Sequence, residues 1–358
     1  MLFRSATQQT PRPFGELAGE AASLFTLENK TIRARITNYG GILVSLEAPD
    51  REGRRGDVVL GFASVADYAA TRGSFGAILG RNANRIAGAE ITIDGRVYRL
   101  SDNENGATLH GGAVGFSKRF WRVAAAAPQE LVLTLTSTDG DQGFPGEVQA
   151  SARYRLAGTA LELHFEARTT KPTPLSLSAH PYFNLDGPGA GNCLDHRVQI
   201  VAPMFLPTDR RQIPTGERRA VAGTPFDFTA PQPIGLRIRE PNPQLRYGRG
   251  YDHYFVLPED GAGTLRLAAR AYGGRSGRVL EVLTTQRGVQ FYSGNNLDGS
   301  APGRAGLYRQ SAGFAFEPQG FPNAANQPDF PSTLLRPGTV YRESIVYRFR
   351  TAGEAGDI

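Results

Sequence analysis

A chain of 358 residues with 40% hydrophobic and 21% charged content has the material for a large buried core, which excludes a disordered polymer. Its net charge of +6 comes almost wholly from arginine, scattered as singles and pairs beside acids rather than clustered, so no nucleic-acid partner is expected. Cys193 is the single cysteine, which excludes an intrachain disulfide framework, and no apolar run reaches the roughly 18 residues of a membrane helix.

Residues 1–22 lack the apolar stretch of a secretory signal and read as a flexible leader, so a cytoplasmic protein is expected. Thr31–Ile36 sets Ile32, Ala34 and Ile36 on one face against Arg33 and Arg35, the period-2 pattern of a strand. After the turn at Asn38–Gly41, Ile42–Leu46 resumes as a strand. Ser64–Ala70 is the one helical stretch, with Ser64 as its N-cap. Glu90–Leu100 predicts a hairpin, because Asp94-Gly95 supplies the positive φ angles of a type I′ turn. Further strands follow at Leu131–Thr136, Val148–Leu156 and Ala160–Ala167, then at Leu175–Ser178 and Phe255–Leu257. The series ends with Thr264–Ala271, Arg278–Thr284, Val289–Tyr292 and Val340–Phe349.

Frequent glycine and proline keep these strands short, and no repeat of 20–50 residues suggests a propeller. The pattern predicts an all-β protein, a large antiparallel β-sandwich forming one domain over residues 23–352, with a short tail at 353–358. No P-loop, dinucleotide fingerprint, HExxH pair or G-x-S-x-G elbow is present, and the five histidines show no metal-ligand spacing. The commonest cofactor and nucleophile schemes therefore lack support. Acid–base chemistry or simple binding remains.

Five stretches carry more polar functionality than a plain core needs. Leu175–Gly187 delivers His180 to the end of an apolar strand, where Pro181 breaks the ladder. Gly80–Ile86 concentrates Asn82, Asn84, Arg81 and Arg85, although a loop whose amides bond their own backbone would look the same. His110 precedes the tight turn Gly111-Gly112, and a capped turn is the plain alternative. Asp252 stands among aromatics in Tyr251–Phe255, where an ion pair would explain it equally. Glu317 follows Phe314-Ala315-Phe316. A carboxylate among apolar neighbours must find partners or shift its pKa upward.

Seven segments in register resemble the aldose 1-epimerase (galactose mutarotase) family: GRNANRI (80–86), LHGG (109–112), GFPGE (143–147), HPYFNLDG (180–187), YDHYF (251–255), GVQFYSGNNLDG (288–299) and GFAFEPQGFPNAANQPDFP (313–331). The resemblance runs from about Ile32 to Phe349. It implies a sandwich of the galactose-mutarotase type that interconverts the α- and β-anomers of free aldohexoses without cofactor or metal, as a monomer or homodimer. By motif position His180 is the implied general acid and Glu317 the implied general base. Asn84, Arg85, His110, Asp252 and Gln290 are the implied contacts to sugar hydroxyls. Two positions depart from the family pattern: Ala179, where Asn commonly precedes the histidine, and Pro181, where Ser or Thr is frequent. Both bear on sugar preference. Rival readings are a hexose-6-phosphate 1-epimerase and a carbohydrate-binding sandwich without catalysis; the latter would not need an acid–base pair.

Overall fold

Alternating side chains and two-residue turns build most of the protein, as the Glu90–Ile93 and Arg96–Arg99 hairpin illustrates: Asp94 and Gly95 take φ of 49° and 78°. The computed structural model of the chain describes residues 10–259 and 263–352. Every pairing between its strands is antiparallel. The largest sheet has nine strands, centred on Ala160–Thr169, Tyr341–Thr351 and Arg278–Thr284. Leu161, Leu163 and Phe165 point inward from the first of these. They meet Leu133, Ala152 and Tyr347 in a core that also takes in Phe25, Leu27 and Ile36 from an N-terminal five-stranded sheet.

A second five-stranded sheet matters most for function. In it Asp252–Val256 pairs with Gly288–Tyr292, which pairs with Ala315–Gln319. The pleat sends Phe255, Val289, Phe291 and Phe316 into the main core. The opposite face therefore carries Asp252, Gln290, Tyr292 and Glu317, with Gln290 directly opposite Glu317. One alternation both anchors the sheet and gathers its polar side chains.

The leader and one strand differ from expectation. Residues 1–9 and 353–358 lie outside the described residues, but Arg12–Leu17 and Glu20–Glu28 form a hairpin where a flexible leader was expected. Phe14 fixes this hairpin by packing 6.2 Å from Tyr68, on the helix Val65–Ala70. Leu175–Ser178 is not a continuous strand. Every residue from Leu175 to Ala179 is buried, and three partners divide the segment. Thr173–Pro174 pairs with Leu334–Leu335, Ser176 bridges Asn82, and Ser178–Ala179 pairs with Ile78–Leu79. The helix after Ser64 forms as expected, with Ser64 and Asp67 in a reciprocal capping box. A second six-residue helix, Pro243–Gly248, was not expected; Asn242 caps it and Pro243 opens it. Among the described residues no helix is long and apolar enough to cross a membrane.

Candidate active site

His180 is held before its side chain does anything. Its backbone N–H donates to Ala77 O and its carbonyl accepts from Gly76 N. Its ring stacks on Tyr182 at 4.7 Å, and Tyr182 stacks in turn on Phe75 at 4.4 Å. The imidazole thus continues an aromatic column and has little rotational freedom. Ala179, beside it, is buried in the main core and does not line the cleft.

Glu317 meets His180 from the other sheet. His180 Nε2 lies 3.4 Å from Glu317 Oε1, and both residues are almost fully buried, at 6% and 2% exposure. His180 Nδ1 and Glu317 Oε2 have no hydrogen-bond partner in the protein. Burial pushes the His180 pKa down to about 4. Burial pushes Glu317 well above the usual carboxylate range, Asp252 adds to the rise, and Arg85 opposes it. Burial thus disfavours both charges and favours a single proton on the pair, carried either as imidazole and carboxylic acid or as imidazolium and carboxylate. A short internal transfer connects these forms.

The remaining expected residues approach from loops. Two chain segments interlock around Gly111, where a side chain would run into the backbone of Gly80 and Arg81, a Cβ falling 1.9 Å from Gly80 O. That contact sets GRNANRI against LHGG. Asn84 N–H donates to His110 Nδ1, and His110 N–H returns a bond to Asn84 O. Of the two arginines in the segment, Arg81 is structural: its buried guanidinium donates to the carbonyls of Ser137, Thr138 and Pro145. Arg85 faces the cleft, and Asn323 ties down its strand by bonding Arg85 O and Ala87 N.

A cleft of about 1290 Å³ is lined by Asn84, Arg85, His110, His180, Asp252 and Glu317 together, six of the seven residues expected. Gln290 stands behind the surface. It is buried, and its Nε2 donates to Asp252 Oδ1 at 2.6 Å. Tyr182 and Tyr292 also line the cleft, although in the sequence they look like core aromatics. Gln212 was absent from the sequence reading and joins the site through hydrogen bonds to Arg85 and Asp252.

His110, His180 and Glu317 each bring a potential metal-ligand atom within 4.8 Å of the others, a proximity that sequence spacing did not reveal. The hydrogen bonding of His110 works against ligation. Its Nδ1 already accepts from Asn84, so the neutral ring carries its hydrogen on Nε2. Burial, with His180 and Arg85 nearby, holds the His110 pKa well below the ordinary imidazole value and keeps the ring neutral. An N–H donor beside an acid–base pair suits a sugar oxygen better than a cation.

Comparison with known proteins settles the lineage. The aldose 1-epimerase family model matches residues 23–348. The chain belongs to the aldose 1-epimerase family. It is 41% identical over 342 residues to galactose mutarotase of Sus scrofa, covering 95% of this chain and 98% of that protein. It is 36% identical over 335 residues to aldose 1-epimerase of Escherichia coli K12, covering 92% of this chain and 96% of that one. Among solved structures, the aldose epimerase homologue of C. elegans superposes with a TM-score of 0.86 at 28% identity, covering 93% of this chain and all of that one. Galactose 1-epimerase of Lactobacillus acidophilus gives 0.81 at 25% identity, covering 96% and 98%. As in those family members, the architecture is an all-β sandwich.

Proposed function

We infer that the protein is a mutarotase, interconverting the α- and β-anomers of free aldohexoses by acid–base ring opening. The observation that carries this reading is the buried His180–Glu317 pair, 3.4 Å apart, on the wall of a cleft that also carries Asn84, Arg85, His110 and Asp252. Ring opening needs one proton removed from the C1 hydroxyl and one delivered to the ring oxygen. In the form with imidazolium and carboxylate, Glu317 takes the hydroxyl proton while the C1–O5 bond breaks and C1=O1 forms. His180 gives its proton to O5. The open-chain aldehyde rotates about C1–C2, and O5 then attacks the other face of C1. His180 recovers the O5 proton, and Glu317 returns its own to O1. The pair ends each turnover with the one proton it began with.

Arg85, favouring the Glu317 carboxylate, supports the base role. Asn84, Arg85, His110 and Asp252 supply donors and acceptors for the sugar hydroxyls, and Gln290 backs Asp252. Polarimetry or NMR on freshly dissolved α-glucose and α-galactose tests the reading. The anomer ratio should relax faster with enzyme than in buffer; relaxation at the buffer rate would refute catalysis.

One observation supports a second reading. Arg72, Arg249 and Arg309 also line the cleft, which is roomier than a single hexose requires. A hexose 6-phosphate could use that charge. Glucose 6-phosphate run in the same NMR assay decides between the two, because a higher kcat/KM than for free glucose would favour the phosphorylated substrate.

A further inference from the structure

Arg85 and Asp252 carry opposite charges into one cleft, yet they do not pair with each other; the acid nearest Arg85 Nη2 is Glu104, with Oε1 at 3.6 Å. Gln212 stands between them. Its Oε1 accepts from Arg85 Nη2 at 2.8 Å, and its Nε2 donates to Asp252 Oδ2 at 2.7 Å. The other Asp252 oxygen accepts from Gln290. An amide satisfies a guanidinium with one end and a carboxylate with the other while remaining neutral.

The loop that carries Gln212 is built to aim it. Asp209 Oδ1 accepts from the backbone N–H groups of Arg211 and Ile213, and Asp209 O accepts from Gln212 N–H. Asp209 N–H donates to Ile213 O, which closes the turn. Gln212 itself takes a φ of 61°, in the left-handed region. The Asp209 carboxylate thus stabilises a turn that presents the carboxamide to Arg85 and Asp252.

We propose that Gln212 is a positioning residue for the sugar, a neutral spacer that keeps Arg85 and Asp252 from collapsing into a direct ion pair and so leaves both free to bind hydroxyls. Without the spacer, the guanidinium and carboxylate attract each other, and a sugar must separate them before it binds. The expected signature is weaker binding with chemistry intact. The inference rests on the mutarotase reading. If the wild type does not catalyse, that reading fails; if it does and the variants below behave as wild type, only the role of Gln212 fails.

The experiment compares Gln212→Leu and Gln212→Glu with wild type by NMR anomerisation of α-galactose, over pH 5 to 8. Gln212→Leu keeps the bulk and removes both hydrogen bonds. Its KM should rise about three- to tenfold, with kcat within about twofold of wild type. Gln212→Glu sets a second carboxylate against Asp252. Its KM should rise at high pH and fall back toward wild type as the pH drops and the two carboxylates share a proton. A merely structural residue would not give a KM defect that acid relieves. Far-UV circular dichroism and thermal melting confirm that both variants fold. Wild-type KM in both variants, or a loss confined to kcat, overturns the proposal.

Discussion

The two ends of the cleft are built by opposite rules. At one end, His180 and Glu317 are buried, and each keeps a polar atom without a protein partner. At the other, both Asp252 oxygens are bonded by amides, and Gln212 links Asp252 to Arg85, whose Nε is left without a protein partner. The difference separates two tasks. A group that must gain and lose a proton is shifted by desolvation and held by packing, as His180 is by Tyr182. A group that must hold a hydroxyl is fixed by hydrogen bonds, as Asp252 is by Gln212 and Gln290. The acid–base end is tuned by what surrounds it, and the binding end by what it is tied to.

Breaking the acid–base end should have the largest effect. His180→Asn and Glu317→Gln are each expected to lower kcat by about 10²–10⁴-fold, because each removes one proton carrier. Stopped-flow polarimetry measures this. The double variant should lose little more than the worse single one, since neither group completes the cycle alone. Two independent losses that multiply would contradict a shared proton.

The same shared proton makes a thermodynamic prediction. Between about pH 4.5 and 6.5 the unfolded chain keeps a proton on the histidine and releases that of the glutamate. The native pair, with His180 lowered to about 4 and Glu317 raised, also holds one proton there. Proton counts match, so the pair adds no pH slope to stability. Removing one partner uncovers the other. In Glu317→Gln, His180 is neutral when native and charged when unfolded, so stability should rise with pH relative to wild type, by about 1.4 kcal/mol per unit. In His180→Asn the native carboxyl keeps a proton the unfolded chain has lost. Stability relative to wild type should then fall as pH rises above 4.5, by a similar slope. Denaturant titrations at several pH values test both, and slope changes of the same sign would break the argument.

How much of this was legible in the chain depends on distance along it. Strands with strict alternation, such as Val148–Ala157, and turns with a local signal, such as Asp94-Gly95, stand out because neighbouring residues set them. The N-terminal hairpin hides because its turn uses Ala18 at a φ of 53°, where asparagine or glycine would have announced it. His180 and Glu317 emerged from motifs in register, while their 3.4 Å approach depends on two segments 137 positions apart meeting in space. Gln212 had no motif at all. Its partners lie 127 and 40 positions away, and only the turn at Asp209 directs it to them.

Breaking the binding end should be milder. In Asp252→Asn one end of the new amide would face a donor, from either Gln212 or Gln290, because both already donate to the carboxylate. KM is expected to rise about tenfold, while kcat falls less. Steady-state kinetics on α-galactose measures both. A kcat loss as large as that of Glu317→Gln would move Asp252 to the other side of the comparison.

The smallest expected effect lies outside both ends and calibrates them. Ser64 caps the helix Val65–Ala70, its hydroxyl accepting from Asp67 N–H while Asp67 returns a bond to Ser64 N–H. The helix leads into the cleft-lining segment Thr71–Phe75, and Phe75 supports the aromatic column behind His180. Ser64→Ala removes the capping bond and the hydroxyl's own bond to Asp67 Oδ2, and should cost about 1 kcal/mol. For a chain of this length that lowers Tm by about 1–2 °C. Both kcat and KM should stay at wild-type values, because Phe75 is also fixed by Phe62, at 4.9 Å between ring centres. If kcat falls with so small a loss of stability, the column behind His180 draws its rigidity from the helix and not from ring packing. Desolvation and packing at the acid–base end would then depend on a surface cap, and the separation between the two ends would be narrower than their hydrogen bonding suggests.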